Sequence, residues 1–132
     1  MIQMVIGIDP GSTHSAWCAY RDGIPESWCK MPNAELLGDL RSTRRKFFDG
    51  YLLAIEMIAS YGMPVGKEVF ETCLWIGRFV EAWESRGNRS RLIYRREVKL
   101  YLCESNRAND ANIRAAIIDK YGPGKEKAIG SK

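Results

Sequence analysis

Two acidic residues end two otherwise apolar segments of the sequence. Asp9 closes the run QMVIGID (3–9) just before a Pro-Gly turn, and Glu56 lies near the end of YLLAIEMI (51–58). Each run is typical of a buried β-strand, where an ionised carboxylate is costly unless it is paired or binds a metal. Two acids at equivalent ends of neighbouring strands therefore predict a divalent metal site. For each acid alone, the alternative is a strand-end carboxylate that faces water or pairs with an arginine.

Basic residues are concentrated in two segments that could contact phosphates. The net charge is only +4, but RSTRRK (41–46) and RGNRSRLIYRREVK (86–99) hold ten of the twenty Lys and Arg residues. Arginine predominates in both, and the guanidinium group pairs with phosphate in a bidentate way. These clusters favour phosphate binding, with solvated surface as the alternative.

Cysteine usage and hydropathy exclude several other classes of protein. The four cysteines have no C-x-x-C spacing, and the single histidine, His14, cannot complete a zinc finger, so reduced thiols are expected. The sequence has neither a signal-peptide pattern nor an apolar run long enough to cross a bilayer. We therefore expect a cytoplasmic protein, and 132 residues suit a single domain.

The pattern of apolar residues and turn residues predicts an α/β fold. Strands alternate with helices after an initial meander, in the order β-β-β-α-β-α-β-α-α, which favours a mixed sheet flanked by helices. The predicted strands cover 3–9, 14–23, 24–31, 51–58 and 90–95. The predicted helices cover 33–48, with Asn33 as its N-cap, 67–87, 95–104 and 108–122, the last capped by Asn109 or Asp110.

Three segments together resemble one protein family. GIDPGST (7–13) opens the meander, AIEMIASYGMPVGKEVFETCLWIGRFVEA (54–82) carries the second acid, and RREVKLYLCESNRANDANIRAAIIDKYGPGKEK (95–127) follows. In this order and spacing, the chain resembles the RuvC-type Holliday-junction resolvases, most closely their bacteriophage and prophage members.

The resemblance implies both a fold and a reaction. It implies an RNase H-like domain that acts as a homodimer on four-way or related branched DNA, in a bacterial or phage-infected cell. It also implies two Mg²⁺ ions, replaceable by Mn²⁺, that promote hydrolysis of a phosphodiester. Asp9 matches the first metal-binding acid of the family and Glu56 matches the second. Asp110 is a further candidate catalytic acid, with helix capping as its alternative role.

The C-terminal part of the family pattern is not found in this sequence. The family carries its last metal-binding acids on a helix that follows a lysine- and glycine-rich segment like GPGKEKAIGSK (122–132), where the sequence ends. We therefore expect 1–132 to form one nuclease domain without that helix: either the natural protein is longer than this sequence, or its metal site is incomplete. If the protein is longer, we expect the 132-residue form to be weakly active or inactive.

Several residues are candidates for DNA contact, each with a simpler structural alternative. Tyr61, in the loop after Glu56, can stack on bases or pack on its own domain. Ser12 and Thr13 can bind a phosphate or complete the turn after Asp9. The basic candidates are Lys67, Arg95, Arg96 and Lys99.

The aromatic residues of the 67–87 helix also allow two interpretations. Trp75, Phe79 and Trp83 recur at helical spacing and are expected either in the core or at a dimer interface.

Two other functions remain open from sequence alone. GIDPGST also resembles the first phosphate loop of actin-like kinases and ATPases, although these need two such domains and a longer chain. A branched-DNA-binding module that lacks cleavage activity would keep the basic clusters without a complete metal site.

Overall fold

A mixed five-stranded sheet forms the centre of the protein. The computed structural model describes residues 4–42, 47, 49–60, 62–104, 107 and 109–121. The strands are β1 (Met4–Asp9), β2 (His14–Arg21), β3 (Ile24–Pro32), β4 (Leu52–Met57) and β5 (Ser90–Tyr94). The helices of the described part are α1 (Asn33–Arg41), α2 (Lys67–Glu84), α3 (Arg95–Cys103) and α4 (Asp110–Tyr121). The strands lie in the order β3-β2-β1-β4-β5, which confirms the predicted α/β architecture.

The first three strands form an antiparallel meander through two tight connections. The β2–β3 hairpin turns at Asp22 and Gly23, whose φ angles of 49° and 88° suit a two-residue turn between twisted strands. Between Ala19 and Tyr20 the pairing shifts by one residue, which marks a β-bulge in this hairpin.

Parallel pairing places the two acid-bearing strands side by side at the centre of the sheet. β4 pairs with β1, and β5 pairs with β4, both in parallel. Parallel neighbours need long crossover connections, which α1 and α2 provide. The carboxyl ends of β1, β4 and β5 therefore meet at one edge of the sheet.

The core lies on one face of the sheet, beneath α1 and α2. Alternate residues of the central strands point into it, among them Ile6 and Ile8 of β1 and Leu53 and Ile55 of β4, each at most 4% exposed. The aromatic members of this core are Trp17, Phe47, Phe79 and Trp83. This confirms the core interpretation of Phe79 and Trp83, while Trp75 is only partly buried.

The opposite face of β1 and β4 is less covered than the sequence suggested. Val5 and Gly7 of β1 are only half-buried, so the buried strand predicted from residues 3–9 has one face that is only partly covered. The reason lies in where the helices pack: α1 and α2 share one face, α3 packs on β5, and α4 packs on α3.

Helix ends differ from the predictions where side chains have other partners. α1 ends at Arg41 because Ser42 is extended, with ψ of 123°, and α2 ends at Glu84. Beyond α2, Arg86 folds back over Trp83 and donates hydrogen bonds to the carbonyls of Leu40 and Phe47. In the described ranges, no helix combines the length and hydropathy needed to cross a membrane.

Candidate active site at the carboxyl edge of the sheet

Asp9 and Glu56 lie level with each other on adjacent parallel strands. Ile8 of β1 pairs with Ile55 of β4, so the next residue of each strand occupies the same position across the pair. Because side chains alternate along a strand, both carboxylates point to the face opposite the core. The strand pattern therefore brings the two predicted acids together on rigid, central elements.

The electrostatics of the two carboxylates show that they interact. Partial burial raises the pKa of Asp9, and the charges of Arg95 and Lys30 partly offset this rise. Burial also raises the pKa of Glu56, the negative charge of Asp9 raises it further, and Arg95 lowers it by charge and hydrogen bonding. Because both carboxylates are partly shielded from water, a bound cation would reduce the repulsion between them.

Arg95 places its guanidinium directly at the acids. It is the first residue of α3, and its guanidinium lies 3.6 Å from a carboxylate oxygen of Glu56. The same guanidinium pairs with Asp110, the first residue of α4. Arg95 was predicted as a DNA contact; its contacts in the described structure are to the acids.

Among the described residues, Arg95 is the group that connects Asp110 to the acid pair. The capping role belongs to Asn109, whose Oδ1 accepts the backbone N–H of Asn112 at 2.9 Å, while Asn112 Oδ1 accepts the N–H of Asn109. This reciprocal pair is a capping box. Asp110 is thus free of capping and directs its carboxylate at Arg95.

A buried network fixes the loop that follows Asp9. The Ser15 hydroxyl donates to Asn33 Oδ1 at 2.6 Å, and Asn33 Nδ2 donates to the carbonyl of Gly11 at 2.8 Å. Gly11 N–H donates to the Ser15 hydroxyl, and the backbone N–H of Asn33 donates to the carbonyl of Thr13. Asn33 was predicted as an N-cap, but Pro32 occupies that position and Asn33 instead ties α1 to this loop.

Ser12 and Thr13 lie in the same loop, beside the carboxyl end of β1. Ser12 is half-buried and Thr13 is exposed, with its hydroxyl 3.1 Å from Nδ1 of His14. The loop places both residues at the edge where Asp9 and Glu56 lie, so their predicted contact with phosphate stays a prediction.

Lys30 is a site residue that the sequence did not indicate. It pairs with Ala16 across β2–β3, and Ala16 pairs with Asp9 across β1–β2. Lys30, Ala16, Asp9 and Glu56 therefore form a row across one face of the sheet. The ammonium group of Lys30 lies close enough to lower the pKa of Asp9.

The other predicted DNA contacts lie at or near the same edge, or outside the described residues. Lys67 begins α2, is exposed and pairs with Glu71 at 3.5 Å. Arg96 is exposed and Lys99 is half-buried on α3. Tyr61 lies outside the described residues.

The donor atoms present fit one divalent cation better than a complete two-ion site. Asp9 and Glu56 supply hard carboxylate oxygens, which Mg²⁺ and Mn²⁺ accept together with water and phosphate oxygens. Within the described ranges, no three His, Cys, Asp or Glu side chains come together as a metal-binding group.

Two solved structures share this arrangement of strands and helices. A Thermus thermophilus RuvC structure superposes with a TM-score of 0.64 and 15% sequence identity over 90% of this chain and 79% of that one. T. thermophilus RuvC in complex with Holliday junction substrate gives 0.65 and 14%, over 92% and 81%. The chain has a RuvC-like fold. No family model and no curated protein matches the sequence.

Proposed function

We propose that this protein is a metal-dependent endonuclease that cleaves four-way or related branched DNA junctions. The observation that carries the proposal is the level pair of Asp9 and Glu56 at the carboxyl edge of a RuvC-like sheet. One of the two similar structures is described as bound to a Holliday junction substrate, which supports the choice of DNA.

The two carboxylates would hold a divalent cation, with Mg²⁺ as the expected ion and Mn²⁺ as its substitute. When bound, such an ion would polarise the phosphodiester and activate a water molecule for hydrolysis. The protein's own contribution is positional: the strands fix both carboxylates, and the network around Asn33 fixes the loop beside them.

Positive side chains around this edge would hold the DNA backbone. Lys30 lies in the row of the acids, Arg96 and the half-buried Lys99 lie on α3, and Lys67 begins α2. Contacts of this kind position DNA without reading its sequence, and they make the affinity fall as salt rises. We expect junctions to be preferred over linear duplexes because the proposed assembly is a dimer.

The exposed side of α2 supports a homodimer. Phe70 and Leu74 lie one helical turn apart and are 61% and 64% exposed, although the same helix buries Phe79 and Trp83. Large apolar side chains adjacent on one helix face are typical of a protein interface. A second copy of the chain would supply the second active site that a two-strand cleavage requires.

The deciding experiment compares Asp9→Asn with the wild-type protein. We expect Mg²⁺- or Mn²⁺-dependent cleavage of a four-way junction by the wild type, and none by the variant. Junction affinity should stay equal or rise, because the variant removes a negative charge from a phosphate site. Glu26→Gln is the matched control, since Glu26 is exposed near the β2–β3 turn, at the opposite edge of the sheet. Equal cleavage by Asp9→Asn would refute the assignment.

A junction-binding module without cleavage is the second candidate. The observation that favours it is the ion pair between Arg95 and Asp110, which leaves two carboxylates rather than three at the site in the described structure. Tight binding to branched DNA with no cleavage in either metal would select this candidate. Equal affinity for a junction and a linear duplex at physiological salt would reject both.

A further inference from the structure

Arg95 occupies a position at which a bound metal ion would compete with it for Glu56. Its guanidinium contacts Glu56 and Asp110, and its charge acts on Asp9. A divalent ion held by Asp9 and Glu56 would lie beside this guanidinium. Two positive groups on one carboxylate repel each other, so occupancy by the ion weakens the hold of Arg95 on Glu56.

We propose that Arg95 is an exchangeable counter-ion, which neutralises Glu56 and Asp110 in the metal-free protein and is released to a DNA phosphate when a divalent cation binds. The inference rests on the proposed function and adds to it a coupling between metal binding and DNA binding through one side chain.

The placement of Arg95 suits such an exchange. Its side chain is 44% exposed, and Asp110, its other partner, is 81% exposed, so neither group is fixed in the core. Arg95 begins a helix whose next basic residues are Arg96, which is exposed, and Lys99, which is half-buried. Once released from the acids, the guanidinium would lie on a surface that already carries positive charge. Contact with a phosphate is the interaction that would stabilise it most there.

The first test measures Mn²⁺ affinity without DNA, by electron paramagnetic resonance of the free ion. Arg95→Gln should bind Mn²⁺ about tenfold more tightly than the wild type, because the ion no longer displaces a cation from Glu56. Arg96→Gln is the matched control: it removes the same charge from the neighbouring position, and we expect a change of less than about threefold. Arg95→Lys keeps the charge without the bidentate fork and should fall between the wild type and Arg95→Gln.

The second test measures junction affinity with and without metal, with Ca²⁺ in place of the catalytic ion. In EDTA, Arg95→Gln should match the wild type within about twofold, because Arg95 is then held by the acids. In Ca²⁺ it should bind about fivefold more weakly or worse, because a phosphate contact has been removed. A metal-dependent loss is the expected signature of exchange.

Unchanged or weaker Mn²⁺ binding by Arg95→Gln would overturn the inference, as would an equal loss of junction affinity in EDTA and Ca²⁺. These results leave the proposed function standing if the wild type still cleaves and Asp9→Asn does not. The inference would also be overturned if neither Arg95→Gln nor Arg95→Lys bound Mn²⁺. If Arg95→Gln unfolds, Arg95→Lys alone must show the tighter Mn²⁺ binding, and wild-type affinity in it would refute the exchange.

Discussion

The buried asparagine at the start of α1 provides the sharpest prediction about how the site is held. Asn33 is 1% exposed, and its side chain makes two hydrogen bonds, one from Ser15 at 2.6 Å and one to Gly11 at 2.8 Å. Asn33→Ala removes both and leaves the buried Ser15 hydroxyl without its acceptor. The perturbation therefore acts on the loop after Asp9 without touching either carboxylate.

The expected loss follows from those contacts. Each hydrogen bond contributes about 1 kcal/mol net, and a buried polar group left unsatisfied adds about 1–3 kcal/mol. The higher helix propensity of alanine offsets about 0.5 kcal/mol of this loss of stability. The free energy of unfolding should therefore fall by about 2.5–4.5 kcal/mol. Ser15→Ala breaks a shared bond, so the double variant should lose about 1 kcal/mol less than the sum of the single variants.

Urea unfolding followed by circular dichroism and tryptophan fluorescence measures these losses. Asn88→Ala is the matched control: Asn88 accepts the N–H of Gly50 and donates to Asp49, but both bonds are exposed, so the loss of stability should stay within about 1 kcal/mol. A loss below about 1 kcal/mol for Asn33→Ala, or strict additivity with Ser15→Ala, would refute the network as the anchor of the loop.

Four further substitutions test the backbone and the charges. Gly11→Ala should destabilise the fold by more than about 2 kcal/mol, because the new Cβ would lie 2.3 Å from a backbone oxygen. Gly7→Ala is its control: the nearest atom lies 3.9 Å from the new Cβ, so thermal melts should show little change. Gly77→Ala, in the middle of α2 with open space around it, should raise the free energy of unfolding by about 1 kcal/mol. Glu56→Gln should become more stable relative to the wild type as pH rises from about 4 to about 7. The raised pKa of Glu56 means that the folded protein binds this proton more tightly than the unfolded chain, so the wild type loses stability when Glu56 ionises. The same stability difference between variant and wild type in urea at both pH values would contradict this.

Asp9 and Glu56 could be found from sequence because their signal is local. Each is a single acid at the end of an apolar run, and parallel pairing of two such strands brings their ends to one edge. The order of the strands and helices was predictable for the same reason, since each element carries its own periodicity. The helix ends were not, because Arg86 and Asn33 have tertiary partners that no local pattern specifies.

Lys30 was missed because its face depends on the bulge in the β2–β3 hairpin. Counting from the two-residue turn, where Arg21 pairs with Ile24, would place Lys30 opposite Ser15, on the core side of the sheet. The shift at Ala19 moves the pairing by one residue and turns Lys30 towards the face of Asp9. The ion pairs of Arg95 were equally hidden, because they depend on how α3 and α4 pack.

The parallel pairing of β1 with β4 also sets when in folding the two acids can meet. The meander of β1, β2 and β3 closes through short turns, but Val5 must find Leu52 across the whole of that meander and α1. Contacts so distant in sequence form slowly and are made only as the sheet is completed. A nascent or partly unfolded chain therefore carries Asp9 without Glu56 beside it, and the acid pair is assembled only when the sheet is complete.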